Sequence, residues 1–377
     1  MNRRSFLKKI WLTGGAIFLS KWQSRQAHAA VLERPAVIDR KTEKIDFYCH
    51  FSTMKIIDFL EAAGKPKPHV FRRLFANTPT LTDPDKRLQL MDDFSVIRSV
   101  LVPLPWLETA PALHADARNC LKAAQLLNNE MAQIVSKHPD RFSAVAVLPT
   151  TNAQIMLAEL NRAVNELNMV GGMFVVGPTV KRPDHPDYDH LYAEATKLDI
   201  PLWIHPSRPP VYSDYVDEGI SKFQVWQTLS WLQDSSTAMV RIVFAGVFAR
   251  YPDLKLIIHH HGALVPLFAE RMQYGWDYFE QNTGQDQPTT ISKPYIEHFK
   301  KFYCDTATQG NQPKLLEIAN AFFGPERVLF GSDAPMDATA GRAFTEDAIA
   351  SVAGMNISEE DRQGIFRGNA QKLIRLG

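Results

Sequence analysis

The chain has 377 residues, a formal net charge of +1 and 45% hydrophobic residues, enough apolar material for one large buried core. Its three cysteines, Cys49, Cys120 and Cys304, cannot make a closed disulfide framework, which excludes the small stapled scaffolds. Residues 1–29 hold six basic residues and no acidic ones, so the rest of the chain carries −5; no basic stripe is left for a phosphate backbone, and nucleic acid is excluded as a partner.

In chain order, the first segment reads as a twin-arginine signal. Arg3 and Arg4 precede Ser5-Phe6-Leu7-Lys8, an apolar stretch runs from Ile10 to Leu19, and Ala27-His28-Ala29 offers a small-residue cleavage site. A membrane anchor needs roughly 18 or more apolar residues, and this stretch is shorter and interrupted by Thr13, Gly14 and Gly15. The expectation is therefore cleavage after residue 29, a periplasmic or exported product, and the twin-arginine translocation machinery as export partner. That route carries proteins already folded, which suits free buried thiols in an oxidising compartment.

Residues 30–43 read as an extended lead-in, and residues 44–377 as a single domain. Eight short apolar runs predict strands at Lys44–His50, Val96–Pro103, Phe142–Leu148, Gly171–Val176, Pro201–His205, Leu254–His260, Phe302–Asp305 and Arg327–Asp333. Between them, apolar residues at helical spacing predict helices at Asp116–Lys137, Ala153–Leu167, Tyr188–Leu198 and Pro313–Phe323. Such alternation is the pattern of repeated βα units around a parallel sheet. A doubly wound sheet would put a glycine-rich phosphate turn after an early strand, and none is present, so the expected fold is the closed (β/α)8 TIM barrel.

The polar residues of this pattern fall at strand ends: Tyr48 and His50 on the first, His205 on the fifth, His259-His260-His261 on the sixth, Asp305 on the seventh, Asp333 on the eighth. In a barrel these ends converge on one mouth. Apolar runs ending in His or Asp on well separated strands are hard to explain by packing and easy to explain as one metal site. Side chains alternate along a strand, so Tyr48 and His50 share a face while Cys49 points away, and the same rule separates His260 from His259 and His261.

At this point the chain resembles the amidohydrolase-related family, which includes aminocarboxymuconate-semialdehyde decarboxylase and the salicylate-type decarboxylases. The resemblance covers nearly all of residues 44–376. It rests on Ile45-Asp46-Phe47-Tyr48-Cys49-His50, Ile204-His205-Pro206, the run from Gly246 to Lys255, His259-His260-His261-Gly262-Ala263, Phe330-Gly331-Ser332-Asp333-Ala334-Pro335 and Arg367-Gly368-Asn369-Ala370. It implies that His50 and His205 are metal ligands, that Asp333 is the carboxylate beside the metal, able both to ligate the ion and to move a proton in catalysis, and that His260 is the general acid/base. One departure stands out. The family's first strand usually ends H-x-H, and Tyr48 occupies the first of those positions, so one ligand is missing or replaced. Tyr48 as a phenolate ligand and Tyr48 as a neutral hydrogen-bonding group both remain open.

A divalent ion held by imidazoles and one carboxylate, with a position left open, polarises a substrate oxygen or lowers the pKa of water. Zinc suits these ligand types first, with manganese as the second choice. Arg208 can hold a substrate carboxylate in a bidentate fork or sit in a surface ion pair. Trp106 can stack on an aromatic substrate or simply cover the core, and Lys181-Arg182-Pro183-Asp184-His185 reads as a solvated loop. The leading functional expectation is a carboxy-lyase that removes CO2 from a small carboxylated or aromatic molecule without an organic cofactor. A metal-dependent hydrolase of a C–N, C–O or C–C bond is the first alternative, and an exported binding protein that lost catalysis at Tyr48 is the second. The resemblance also implies a homodimer.

Overall fold

The computed structural model describes residues 38–62, 68–104, 116–283 and 291–375. The segments read as signal peptide and most of the lead-in lie outside these residues, as does Trp106. A compact unit takes in Asp39–Gly377.

Nine parallel strands are found among the described residues: β1 (Lys44–Phe51), β2 (Val96–Pro103), β3 (Phe142–Ala144), β4 (Ala146–Val147), β5 (Gly172–Val176), β6 (Leu202–Pro206), β7 (Leu256–Ile258), β8 (Tyr303–Asp305) and β9 (Val328–Leu329). They pair in the order β1-β2-β3 and β4 through β9. β3 and β4 are halves of the single predicted third strand. Val145 sits between them, its N–H still reaching Leu101 O at 3.0 Å, while the next N–H, of Ala146, turns to Gly171 O at 2.9 Å. One strand thus serves both sheet segments.

The cylinder closes between the last strand and the first. Phe47 N–H donates to Phe330 O (2.8 Å), Asp333 N–H to Tyr48 O (2.9 Å) and His50 N–H to Ala334 O (2.7 Å). The seam is tight enough to require glycine: a Cβ on Gly331 would stand 2.8 Å from Tyr48 Cβ and 3.0 Å from Asp305 Cβ. Inside, Phe47 stacks on Trp203 with ring centroids 5.0 Å apart. β1 is buried along its whole length, so its polar members lie in the interior and need partners there. Asp46 finds them at the seam, accepting from Ser332 N–H at 3.0 Å and Ser332 Oγ at 2.5 Å.

Helices return the chain between strands, and their ends follow capping chemistry. The helix Ala117–Lys137 starts at Asp116, whose carboxylate accepts from the N–H groups of Arg118 and Asn119. It buries Cys120, Ala123, Ala124, Leu127 and Met131, a stripe at helical spacing. All three cysteines are buried, and none forms a disulfide.

Candidate metal centre

β1 delivers Tyr48 and His50 to the mouth from one face, as side-chain alternation requires. The hydroxyl of Tyr48 lies 3.2 Å from His50 Nε2. On the other side of the same ring, His50 Nδ1 faces the carbonyl of Val102 at 3.3 Å. A carbonyl only accepts, so Nδ1 carries the proton and Nε2 is left as a lone pair. That lone pair stands 3.3 Å from Asp333 Oδ1.

Asp333 is placed by the chain's departure from β9. Its φ is +60°, a left-handed conformation uncommon outside glycine, and Ser332 on its N-terminal side is pinned by Asp46. The predicted last strand, Arg327–Asp333, therefore shortens to Val328–Leu329, because Phe330 N–H leaves the sheet for Ile365 O at 3.0 Å. One oxygen of Asp333 accepts from Gln309 Nε2 at 2.6 Å, and His260 Nε2 lies 3.7 Å from the same oxygen. Burial alone would raise the Asp333 carboxyl, but His260 and His50 outweigh it and hold the group well below the usual carboxylate range. His260 is the counterpart. Burial alone would lower it, and the Asp333 carboxylate more than reverses this, so it stands above the usual imidazole value.

The histidine triplet corrects one expectation. Alternation was expected to separate His260 from its neighbours, with the strand running to His260. Instead β7 ends at Ile258, His259 is extended, and His260 and His261 have φ of 57° and 51°. Once the backbone turns left-handed the period of two no longer applies, and both His259 and His260 enter the mouth. His259 stacks on Tyr48, ring centroids 3.7 Å apart and planes 17° from parallel, while His260 meets the Tyr48 ring edge-on at 6.0 Å.

His205, at the end of β6, faces His50 with ring centroids 5.3 Å apart and His259 at 5.6 Å. Its Nδ1 is tied to Pro206 O at 2.6 Å, and its Nε2 is buried with no hydrogen-bond partner. Such a bare, inward nitrogen behind a fastened one is how imidazole ligands are held ready. Among the described residues no trio of His, Cys, Asp or Glu side chains is already gathered closely enough to enclose an ion. The chemistry of the donors nevertheless fits a divalent cation: two imidazole nitrogens, from His50 and His205, and the Asp333 carboxylate. Burial first, then the neighbouring histidines, push His205 well below the usual imidazole value, which keeps it in the neutral, ligating form. Burial, then the charges of Asp333 and Asp305, push Tyr48 well above the usual tyrosine range, so its oxygen keeps a proton to donate.

Arg208 does not reach out to a substrate in this arrangement. Both arms of its guanidinium are committed to Asp234, at 2.9 and 2.8 Å, and its carbonyl accepts from Trp231 Nε1 at 3.0 Å. The ion-pair reading is the one the geometry takes, and the loop it steadies presses Trp231 against His205, centroids 5.6 Å apart. A cavity beside His260 is lined by Gln227, Thr228, Trp231, Thr308 and Gln309. Neither Gln309, in a loop, nor Trp231, in the first turn of the helix Ser230–Phe244, carries a sequence spacing that marks a site. His259 stands in the triplet, and strand alternation alone would turn it away from His260.

A parallel eight-stranded barrel whose His and Asp side chains converge at the carboxyl ends of its strands defines a barrel enzyme with its active site at the mouth. The family model described as amidohydrolase matches residues 45–376, and the chain belongs to that family. A gamma-resorcylate decarboxylase from Rhizobium sp. is 28% identical over 302 residues, covering 78% of this chain and 87% of that protein. The 2-amino-3-carboxymuconate-6-semialdehyde decarboxylase of Dictyostelium discoideum is 27% identical over 336 residues, covering 88% and 84%. Among solved structures, a dihydroxybenzoic acid decarboxylase from Polaromonas sp., with bound manganese and the inhibitor 2-nitroresorcinol, superposes with a TM-score of 0.72 at 26% identity, covering 88% of this chain and 96% of that one.

Proposed function

We propose that this protein is a metal-dependent carboxy-lyase that removes CO2 from a small aromatic or unsaturated carboxylic acid. One observation carries the reading: His260 and Asp333 face each other at 3.7 Å beside the fastened imidazoles of His50 and His205, so proton transfer and oxygen-ligand chemistry share one buried mouth. The named relatives with decarboxylase activity support the reaction class.

His50, His205 and Asp333 are the residues that would hold the ion. When bound, it supplies electrophilic pull on substrate oxygens. His260 then does the proton work. It delivers a proton to the carbon bearing the carboxylate, the C–C bond breaks, the electron pair returns to the unsaturated system, CO2 leaves, and the imidazole regains a proton from solvent. Asp333 orients and charges the His260 ring, Gln309 holds the Asp333 oxygen it donates to, and the half-buried Trp231 offers a face against which a planar substrate can lie. Sequence reasoning put zinc first on ligand type; manganese is the preferred proposal here, because a solved relative contains it.

Chelation should abolish CO2 release from a panel of hydroxylated benzoic acids, and added manganese should restore it. Full activity in metal-free protein would refute the reading. The export proposal rests on Arg3-Arg4 and the apolar stretch behind them. Changing both arginines to lysine should leave active enzyme in the cytoplasm, and normal periplasmic yield of the double variant would count against it.

A further inference from the structure

Three histidines around Tyr48 are wired alike. His50 turns Nδ1 to Val102 O (3.3 Å), His205 turns Nδ1 to Pro206 O (2.6 Å), and His259 turns Nδ1 to Asp305 Oδ2 (2.6 Å). Val102 O and Pro206 O can only accept, and Asp305 Oδ2 accepts when ionised, although burial pushes that carboxyl up to about 7; each ring then presents Nε2 as a lone pair. For His205 and His259 that Nε2 is buried and has no hydrogen-bond partner. His260 is wired the other way round, Nε2 toward Asp333 and Nδ1 bare. The shared polarity groups His259 with the ligands and leaves His260 alone as the proton carrier.

We infer that His259 Nε2 is a ligand of the divalent ion, supplying the imidazole that Tyr48 fails to provide, with Asp305 as its orienting carboxylate. The inference rests on the metal-dependent reading above and adds a residue to it. Asp305 is built for the task. Its Oδ1 accepts from the backbone N–H of His260 (3.0 Å) and of Ala307 (3.1 Å), which leaves Oδ2 for the imidazole and fixes the carboxylate in place. A carboxylate behind Nδ1–H selects the tautomer, aims the ring and raises the basicity of Nε2, which is how ligating histidines are commonly supported. The Tyr48 ring, stacked on His259 at 3.7 Å, restricts its rotation. His205 neighbours both other rings, His259 with centroids 5.6 Å apart and His50 at 5.3 Å. Buried polar nitrogens are ordinarily hydrogen-bonded, so the bare Nε2 of His259 calls for a partner that the protein itself does not supply.

The direct test is wild-type protein with 15N-labelled histidine, loaded with 113Cd and observed by NMR. Metal–nitrogen coupling should split three imidazole Nε2 signals, assigned by substitution to His50, His205 and His259. Two coupled imidazoles without His259 would overturn the inference while leaving the metal site standing. Failure of wild-type protein to bind cadmium, manganese or zinc at all would instead overturn the metal-dependent reading, and the inference with it. Manganese affinity, measured by chelator competition on folded variants, should fall about 100-fold or more in His259→Asn and about 10- to 100-fold in Asp305→Asn. Tyr48→Phe should keep it close to wild type. Undiminished affinity in a folded His259→Asn variant would show that His259 is structural.

Discussion

The two ends of the barrel treat buried polar groups in opposite ways. At the closed end, below the strands' amino termini, Lys44, Arg98 and Arg141 are matched. Lys44 Nζ donates to the carbonyls of Asp39 (2.9 Å), Thr42 (2.6 Å) and Phe94 (3.3 Å). Arg98 reaches Phe142 O and Ser143 Oγ, both at 3.1 Å, and Arg141 bonds Ile97 O at 3.1 Å and Asp92 at 2.6 Å. At the mouth, His205 Nε2, His259 Nε2, His260 Nδ1 and His261 Nδ1 are buried and bare. Since an unmatched buried polar atom costs about 1–3 kcal/mol, the mouth gives up stability for ligand and substrate contacts, whereas the closed end spends its polar groups on holding the fold. In barrel enzymes this division is general.

Substitutions should therefore separate function from stability according to the end they touch. The largest effect is expected for His205→Ala, which should lose metal and activity together, as a metal assay on the purified variant will read. His260→Ala should keep its metal while its turnover falls by about 10²- to 10⁴-fold, with a melting temperature at or above that of the wild type. Equal metal loss in both variants would make His260 a ligand and blur the division of roles. At the closed end, Lys44→Met removes the donor of three carbonyls and should cost about 1–3 kcal/mol in urea unfolding, with turnover per folded molecule unchanged.

Two smaller effects sharpen the boundary between the ends. Arg208→Lys cannot reproduce the fork to Asp234, so its melting temperature should fall by a few degrees while KM stays near the wild-type value. A raised KM at unchanged stability would put Arg208 on the substrate after all. The smallest effect concerns Asp39. Burial alone would raise its pKa, but backbone N–H bonds from Thr42 and Lys41, with the charge of Lys44, bring it from 3.8 to about 2. The folded value lies below the unfolded one, so Asp39 stabilises above pH 4 or so, and this contribution is lost as pH falls toward 2. Asp39→Asn should flatten that part of the acid stability curve, and an unchanged slope would show that the carboxylate is not held in the fold.

Much of this organisation is legible in the chain. Val96–Pro103 and Pro313–Phe323 coincide with a strand and a helix as read from periodicity, because burial on one or two faces writes itself directly into the apolar pattern. His50, His205, His260 and Asp333 were found because polar residues ending apolar runs break that pattern at one end of the fold. What could not be read is what depends on backbone exceptions and distant partners. The left-handed turns at His260 and Asp333 cancel the strand period and shorten β7 and β9. Asp46 meets Ser332 across 286 residues, and Arg208, in the loop after β6, meets Asp234 on the helix Ser230–Phe244. Nothing in the residue types of Gln309, in its loop, or Trp231, in its helix, marks them as site residues.

The central claim is that the mouth breaks a carbon–carboxylate bond and replaces it with a carbon–hydrogen bond. The measurement that tests it most directly is turnover of carboxyl-13C-labelled 2,6-dihydroxybenzoate and related hydroxybenzoates in D2O by manganese-loaded protein. The account predicts 13CO2 and a product with one deuteron at the vacated carbon, with both signals absent in His260→Ala and after chelation. Folded, manganese-replete protein that leaves the labelled carboxylate in place across the panel, or that releases products of hydrolysis instead, would contradict it.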